Sequence, residues 1–125
     1  MRLLAIILVA SAITLPTMVQ SKMLSNDDEI RQMLVGNTIS GEEEGETYVE
    51  FLHPDGRITG EDRQGRYAGH WQLSRGRMCL SYDQEDGKPS NWDCSQVGFE
   101  GSRVLWLAQG EKSFSKLITG NPNGF

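Results

Sequence analysis

Between Asn37 and Ile118 the chain alternates short apolar and polar runs broken by glycine-containing turns. Tyr67, Gly69, Trp71 and Leu73 interleave with Arg66, Ala68, His70 and Gln72, and Met78, Leu80 and Tyr82 fall opposite Cys79. In Thr47–Leu52, Val49 and Phe51 are separated by Glu50. A period of two is the signature of strands with one face buried. The pattern predicts strands at Asn37–Ser40, Thr47–Leu52, Arg57–Glu61, Tyr67–Leu73, Arg77–Tyr82, Trp92–Val97, Arg103–Ala108 and Ser113–Ile118, about eight at roughly ten-residue spacing. Turns fall between them: an acidic loop at Gly41–Glu46, then His53-Pro54-Asp55-Gly56, with proline and glycine at favoured positions. Connections this short favour sequential antiparallel neighbours. Closing such a meander removes its edges, so residues 37–118 are expected to form a small all-β antiparallel meander barrel.

The period changes before Gly36. Ser25 or Asn26 is a helix cap, with Asp28 or Glu29 at the capping-box position. Ile30, Met33 and Leu34 then follow at i, i+3 and i+4, and Gly36 is a C-terminal stop. A helix is expected from Asp27 to Val35, within a segment 22–36 whose first residues form a polar lead-in. Its apolar stripe is too short to stand alone, so it should plug or cap the sheet. Residues 119–125 read as a loose tail.

The opening stretch has another grammar. Arg2 precedes an unbroken apolar run, Leu3 to Val9, followed by small residues at Ala10-Ser11-Ala12 and again at Val19-Gln20-Ser21. This is a signal-peptide pattern for residues 1–21, with cleavage after Ala12 or after Ser21. A membrane anchor needs about 20 apolar residues, and Ser11, Thr14, Pro16, Thr17 and Gln20 interrupt this one. A periplasmic or secreted protein with no membrane anchor after cleavage is expected.

The only two cysteines lie on two of the expected strands, flanking Asp86-Gly87. A two-residue hairpin loop at Asp-Gly would set Gln84 opposite Pro89 and Cys79 opposite Cys94. Directly opposed residues have Cβ atoms about 4.5–5.5 Å apart, close to what a disulfide needs. The spacing matches no zinc or redox pattern, and disulfides persist in oxidising compartments. A Cys79–Cys94 disulfide is expected.

Charge narrows the partners. Arg2 is the only charged residue among 1–21, so after its removal 11 basic residues face 17 acidic ones, a net charge of −6. That balance argues against nucleic acid and anionic membrane as partners. Candidate chemistry is sparse. His53 and His70 are the only histidines and no set of three or four convergent ligands is in view, so no metal or other cofactor is expected. Asp83-Gln84-Glu85-Asp86-Gly87 fails the EF-hand spacing. Glu42-Glu43-Glu44 and Glu46 read as a solvated loop. There is no nucleophile elbow and no phosphate loop. No carboxylate sits in an apolar context that would raise its pKa, and the chain is expected not to be an enzyme. The aromatics Tyr48, Phe51, Tyr67, Trp71, Trp92 and Trp106 are the candidate residues, as lining of a ligand cavity or as core. In so small a barrel, core filling is the simpler expectation.

Gly36-Asn37-Thr38, Tyr48-Val49-Glu50-Phe51, Asp55-Gly56, Gly69-His70-Trp71, Cys79, Cys94 and Gly120-Asn121 occur in this order. The chain thereby resembles small periplasmic domains of unknown function from Gram-negative bacteria. That resemblance implies a lipocalin-like barrel and supplies no activity. A weaker likeness is to periplasmic barrel inhibitors of secreted proteases, which also pair a Gly-x-Trp strand with one disulfide. The function expected is a monomeric, exported, non-catalytic binding protein for a protein partner or a small apolar ligand. The alternative is an inhibitor of a secreted hydrolase such as a protease or lysozyme.

Overall fold

A computed structural model describes residues 11–125, so the apolar run Leu3–Val9 lies outside the described residues. The strands are β1 (Ser21–Met23), β2 (Thr38–Glu43), β3 (Glu46–Leu52), β4 (Arg57–Asp62), β5 (Gly65–Ser74), β6 (Arg77–Tyr82), β7 (Asp93–Glu100), β8 (Arg103–Ala108) and β9 (Glu111–Ile118), with one helix, α1 (Asp27–Leu34), between β1 and β2. Strands β2 to β9 pair antiparallel in sequence order, and β9 returns to pair with β2. The result is a closed eight-stranded up-and-down barrel of the lipocalin-like type. Three of its hairpins turn on a two-residue loop, Glu44-Gly45, Arg75-Gly76 and Gln109-Gly110, with positive φ at both positions. That backbone follows the twist of the flanking strands.

The expected helix is present. Asn26 caps it by accepting the Glu29 amide, and Gly36 follows its end at φ +81°. Glu29 reaches one residue further back than a capping box would, to the Ser25 amide at 2.7 Å. Asp27 accepts from the Gly76 amide in the β5–β6 turn at 2.7 Å, which fixes the helix start against the rim. Ile30 and Leu34 are fully buried, whereas Met33 is exposed. Burying one such side chain stabilises by about 1.5–3 kcal/mol. The helix therefore plugs the end of the barrel that carries the β3–β4, β5–β6 and β7–β8 turns. Leu52, Ile58, Met78, Val97 and Val104 complete an apolar core with it.

The structure corrects four expectations. The lead-in is not free: β1 pairs with the β7 edge at Gly98–Glu100, beyond the point where the β6 ladder stops, and Leu24 is buried. The acidic loop is mostly strand, for Glu43 still pairs with Glu46. The tail is pinned: Gly120 bonds Asn37 and Thr38, and Arg66 of β5 lies over the Phe125 ring at 5.5 Å. Around the cysteines, Cys79 faces Cys94 as expected and the disulfide is formed. Yet Asp83, not Gln84, faces Pro89, because the turn spans Gln84–Lys88. Between Tyr82–Ser90 and Leu80–Asp93, Asn91 and Trp92 oppose the single residue Ser81. That two-against-one count is a β-bulge, and it starts β7 at Asp93 instead of Trp92.

Candidate binding site in the open end of the barrel

Inward positions change character along the same strands. Leu52 of β3 meets the plug, while Glu50 and Tyr48, two and four residues earlier, point into the other half. Glu50 is only 2% exposed. Its carboxylate accepts from the Tyr67 hydroxyl at 2.8 Å and from the Tyr82 hydroxyl at 2.9 and 3.1 Å. A second polar group stands beside it. Ser115 accepts from the Trp106 indole N–H at 2.9 Å and shares a hydrogen bond with the Tyr48 hydroxyl at 2.8 Å.

Cross-strand glycines make this packing fit. Gly41 faces Tyr48, Gly60 faces Tyr67 and Gly69 faces Tyr82. A Cβ on Gly60 would lie 2.4 Å from the Tyr67 ring, and one on Gly41 would lie 2.7 Å from the Tyr48 hydroxyl oxygen. Gly60 is also the partner of Glu50 across β3–β4. The Tyr67 ring thus passes over a residue without a side chain and delivers its hydroxyl to the carboxylate. In each pair the glycine and tyrosine lie symmetrically about one hairpin turn, a signal present in the sequence that periodicity alone does not expose.

Burial pushes the Glu50 carboxyl up to about 7, with Glu43 adding to the rise and the two tyrosine donors opposing it. This overturns the expectation that no carboxylate sits where its pKa would rise. Burial first, and then the Glu50 charge, push the Tyr67 and Tyr82 hydroxyls upward, so both remain donors. Burial likewise raises Tyr48.

Above this network lies a cavity of about 200 Å³, lined by Tyr48, Glu50, Tyr82, Trp106 and Ser95, with Glu42, Glu43 and Asp93 among its other lining residues. No Lys, Arg or His lines it, and none forms an ion pair with Glu50 among the described residues. Larger depressions of about 580 and 770 Å³ lie outside the barrel wall, the first beside Trp92 and the second beside the helix start. No side chain classed as buried and polar lines either of them.

Of the six aromatics singled out, Tyr48, Tyr67, Trp71 and Trp106 point inward. Trp71 belongs to the plugged half, its indole donating to the His53 carbonyl at 2.8 Å. Phe51 is on the outer wall, with the His53 ring against it at 4.6 Å. Trp92 lies on the outer face that Cys94 and Gln96 share and is 46% exposed. Tyr82 and Glu50, absent from that set, belong to the site. His53 bonds Thr59, and His70 lies on the outer face 4.0 Å from Asp83. No group of three or more metal-ligating side chains forms among the described residues. No described helix is long and apolar enough to cross a membrane.

Compared with family models, curated proteins and solved structures, the chain matches none.

Proposed function

We propose that this chain is an exported, non-catalytic binding protein that takes a small molecule through the unplugged mouth of its barrel. The observation that carries this reading is the asymmetry of the interior. One half is filled by apolar side chains and closed by a helix. The other keeps a cavity walled by aromatic rings and a buried carboxylate, the mixture typical of small-molecule sites. A cavity of about 150 Å³ can hold a benzene ring, so 200 Å³ suits a compact ligand. The polar wall revises the ligand class from apolar to polar with an aromatic or aliphatic body. Export is supported by the disulfide and by the exposure of residues 11–20, on which no core residue depends.

Docking of a protein partner is the second reading, and a single observation favours it. The start of β7 presents Trp92 on the outer wall beside Arg77, Gln96 and Leu107. Large rings set among polar groups are common anchors in protein interfaces.

Native mass spectrometry of the protein from its producing cell tests both. The expected result is a mass that has lost residues 1–12 or 1–21, carries one disulfide and retains a small molecule. A Ser95→Phe variant, which fills the cavity, should lose that molecule. A bare mass from both proteins would overturn the small-molecule reading and leave the Trp92 wall as the surface to pursue.

A further inference from the structure

The cavity has a charge problem that a particular class of ligand would solve. Buried charges are normally paired, and an unpaired one is costly. Glu50 is deeply buried and lines the cavity, yet its partners are two neutral hydroxyls. Its Oε1 takes one hydrogen bond, and a carboxylate oxygen can accept two. The groups around it compound the deficit. Glu43 on β2, Asp93 on β7 and Glu42 at the mouth are all acidic, and Tyr48, Tyr67 and Tyr82 supply no positive charge. The walls suit a cation in a second way, since the rings of Tyr48, Tyr82 and Trp106 line the same space. Aromatic faces attract cations, more so when water is excluded.

Resting on the small-molecule reading above, we propose that the ligand is a small organic cation, a protonated amine whose ammonium group pairs with Glu50 and whose body packs against Tyr48, Tyr82 and Trp106. An anion would meet four acidic side chains and no cationic one there. A neutral ligand would leave the ionised Glu50 without a counter-charge. Binding is proton-linked. Below pH 7 the empty site holds Glu50 largely neutral, and an arriving ammonium displaces that proton.

Three probes of one shape and different charge test this by calorimetry on the purified full chain: benzylamine, benzyl alcohol and benzoate. At pH 8 benzylamine should bind roughly tenfold or more tighter than benzyl alcohol, the worth of a hydrogen bond to a charged partner, with benzoate weakest. Benzylamine affinity should fall as the pH is lowered from 8 to 5.5, and benzyl alcohol affinity should not. Glu50→Gln should abolish the amine preference while leaving the fold intact. If that variant does not fold, the wild-type pH profile decides. Benzyl alcohol or benzoate binding as tightly as benzylamine would overturn the cation assignment and leave the cavity a ligand site. Failure of all three to bind, with a bare native mass, would overturn the ligand reading as well.

Discussion

The two halves of the barrel interior are built from the same strands and obey opposite rules. In the plugged half, Ile30, Leu34, Leu52 and Met78 are wholly buried and wholly apolar. In the open half, the wall holds Glu50, three tyrosines and a serine–tryptophan pair, each polar atom with a partner. Stability should therefore reside mainly below, where apolar burial is uncompromised. Above, a buried carboxylate works against it. What the open half gains is a shaped, polar, water-accessible space that a filled core would have removed.

Three substitutions separate these roles. The largest effect is expected below: Leu34→Ala should lower stability by about 2–5 kcal/mol in chemical denaturation, with benzylamine affinity unchanged. A loss under 1 kcal/mol would mean the plug is not part of the core. The second has the opposite sign. Glu50 is raised from its ordinary range to about 7, so its neutral form is favoured in the fold. Its contribution is fully present below about pH 4.5 and is lost as pH rises through about 7. At about 1.4 kcal/mol per pKa unit, Glu50→Gln should stabilise the empty protein by about 3–4 kcal/mol at pH 8 and by little at pH 4. Equal effects at both pH values would show that the carboxylate is not buried as described. The smallest is Tyr67→Phe, which removes one of the donors to Glu50. It should cost about 1.5 kcal/mol at pH 8, where the acceptor is charged, and less at pH 5. A pH-independent loss would assign Tyr67 to packing alone.

Much of the lower half was legible. The helix and its stop follow from Ile30, Leu34 and Gly36, its cap is Asn26 of the two candidates Ser25 and Asn26, and six strands fall within two residues of expectation at both ends. The Cys79–Cys94 pairing expected from symmetry about Asp86-Gly87 is present because the shifted turn, which sets Asp83 opposite Pro89, and the bulge at Asn91-Trp92 offset each other by one residue. The upper half was hidden for a physical reason. Alternation separates two faces without saying which one turns inward. In Thr47–Leu52 the alternation sets Val49 and Phe51 on one face and Glu50 on the other, and does not say which is inside. In the fold Tyr48, Glu50 and Leu52 face inward, and Phe51 is buried on the outer wall beside Thr38 and Thr59. Trp92 falls outside for the same reason: it shares the face of Cys94, which is the outer one, while Asp93, Ser95 and Val97 turn inward. The pinned tail depends on contacts with Asn37, Thr38 and Arg66, all more than fifty positions away, where local patterns carry no information.

Closure of the ring also orders events in time. Seven of the eight ladders join strands adjacent in sequence, whereas the β2–β9 ladder brings Thr38 to Ile118. Hairpins of the first kind form within microseconds once their residues are free. The last seam must await the final strand, and long-range pairing of that sort slows folding. Until it zips, β2 and β9 are open edges that invite pairing with other chains. A chain that emerges from its N-terminus exposes the β2 edge until its last strand is free, so the speed with which β9 arrives governs whether the protein closes on itself or on a neighbour.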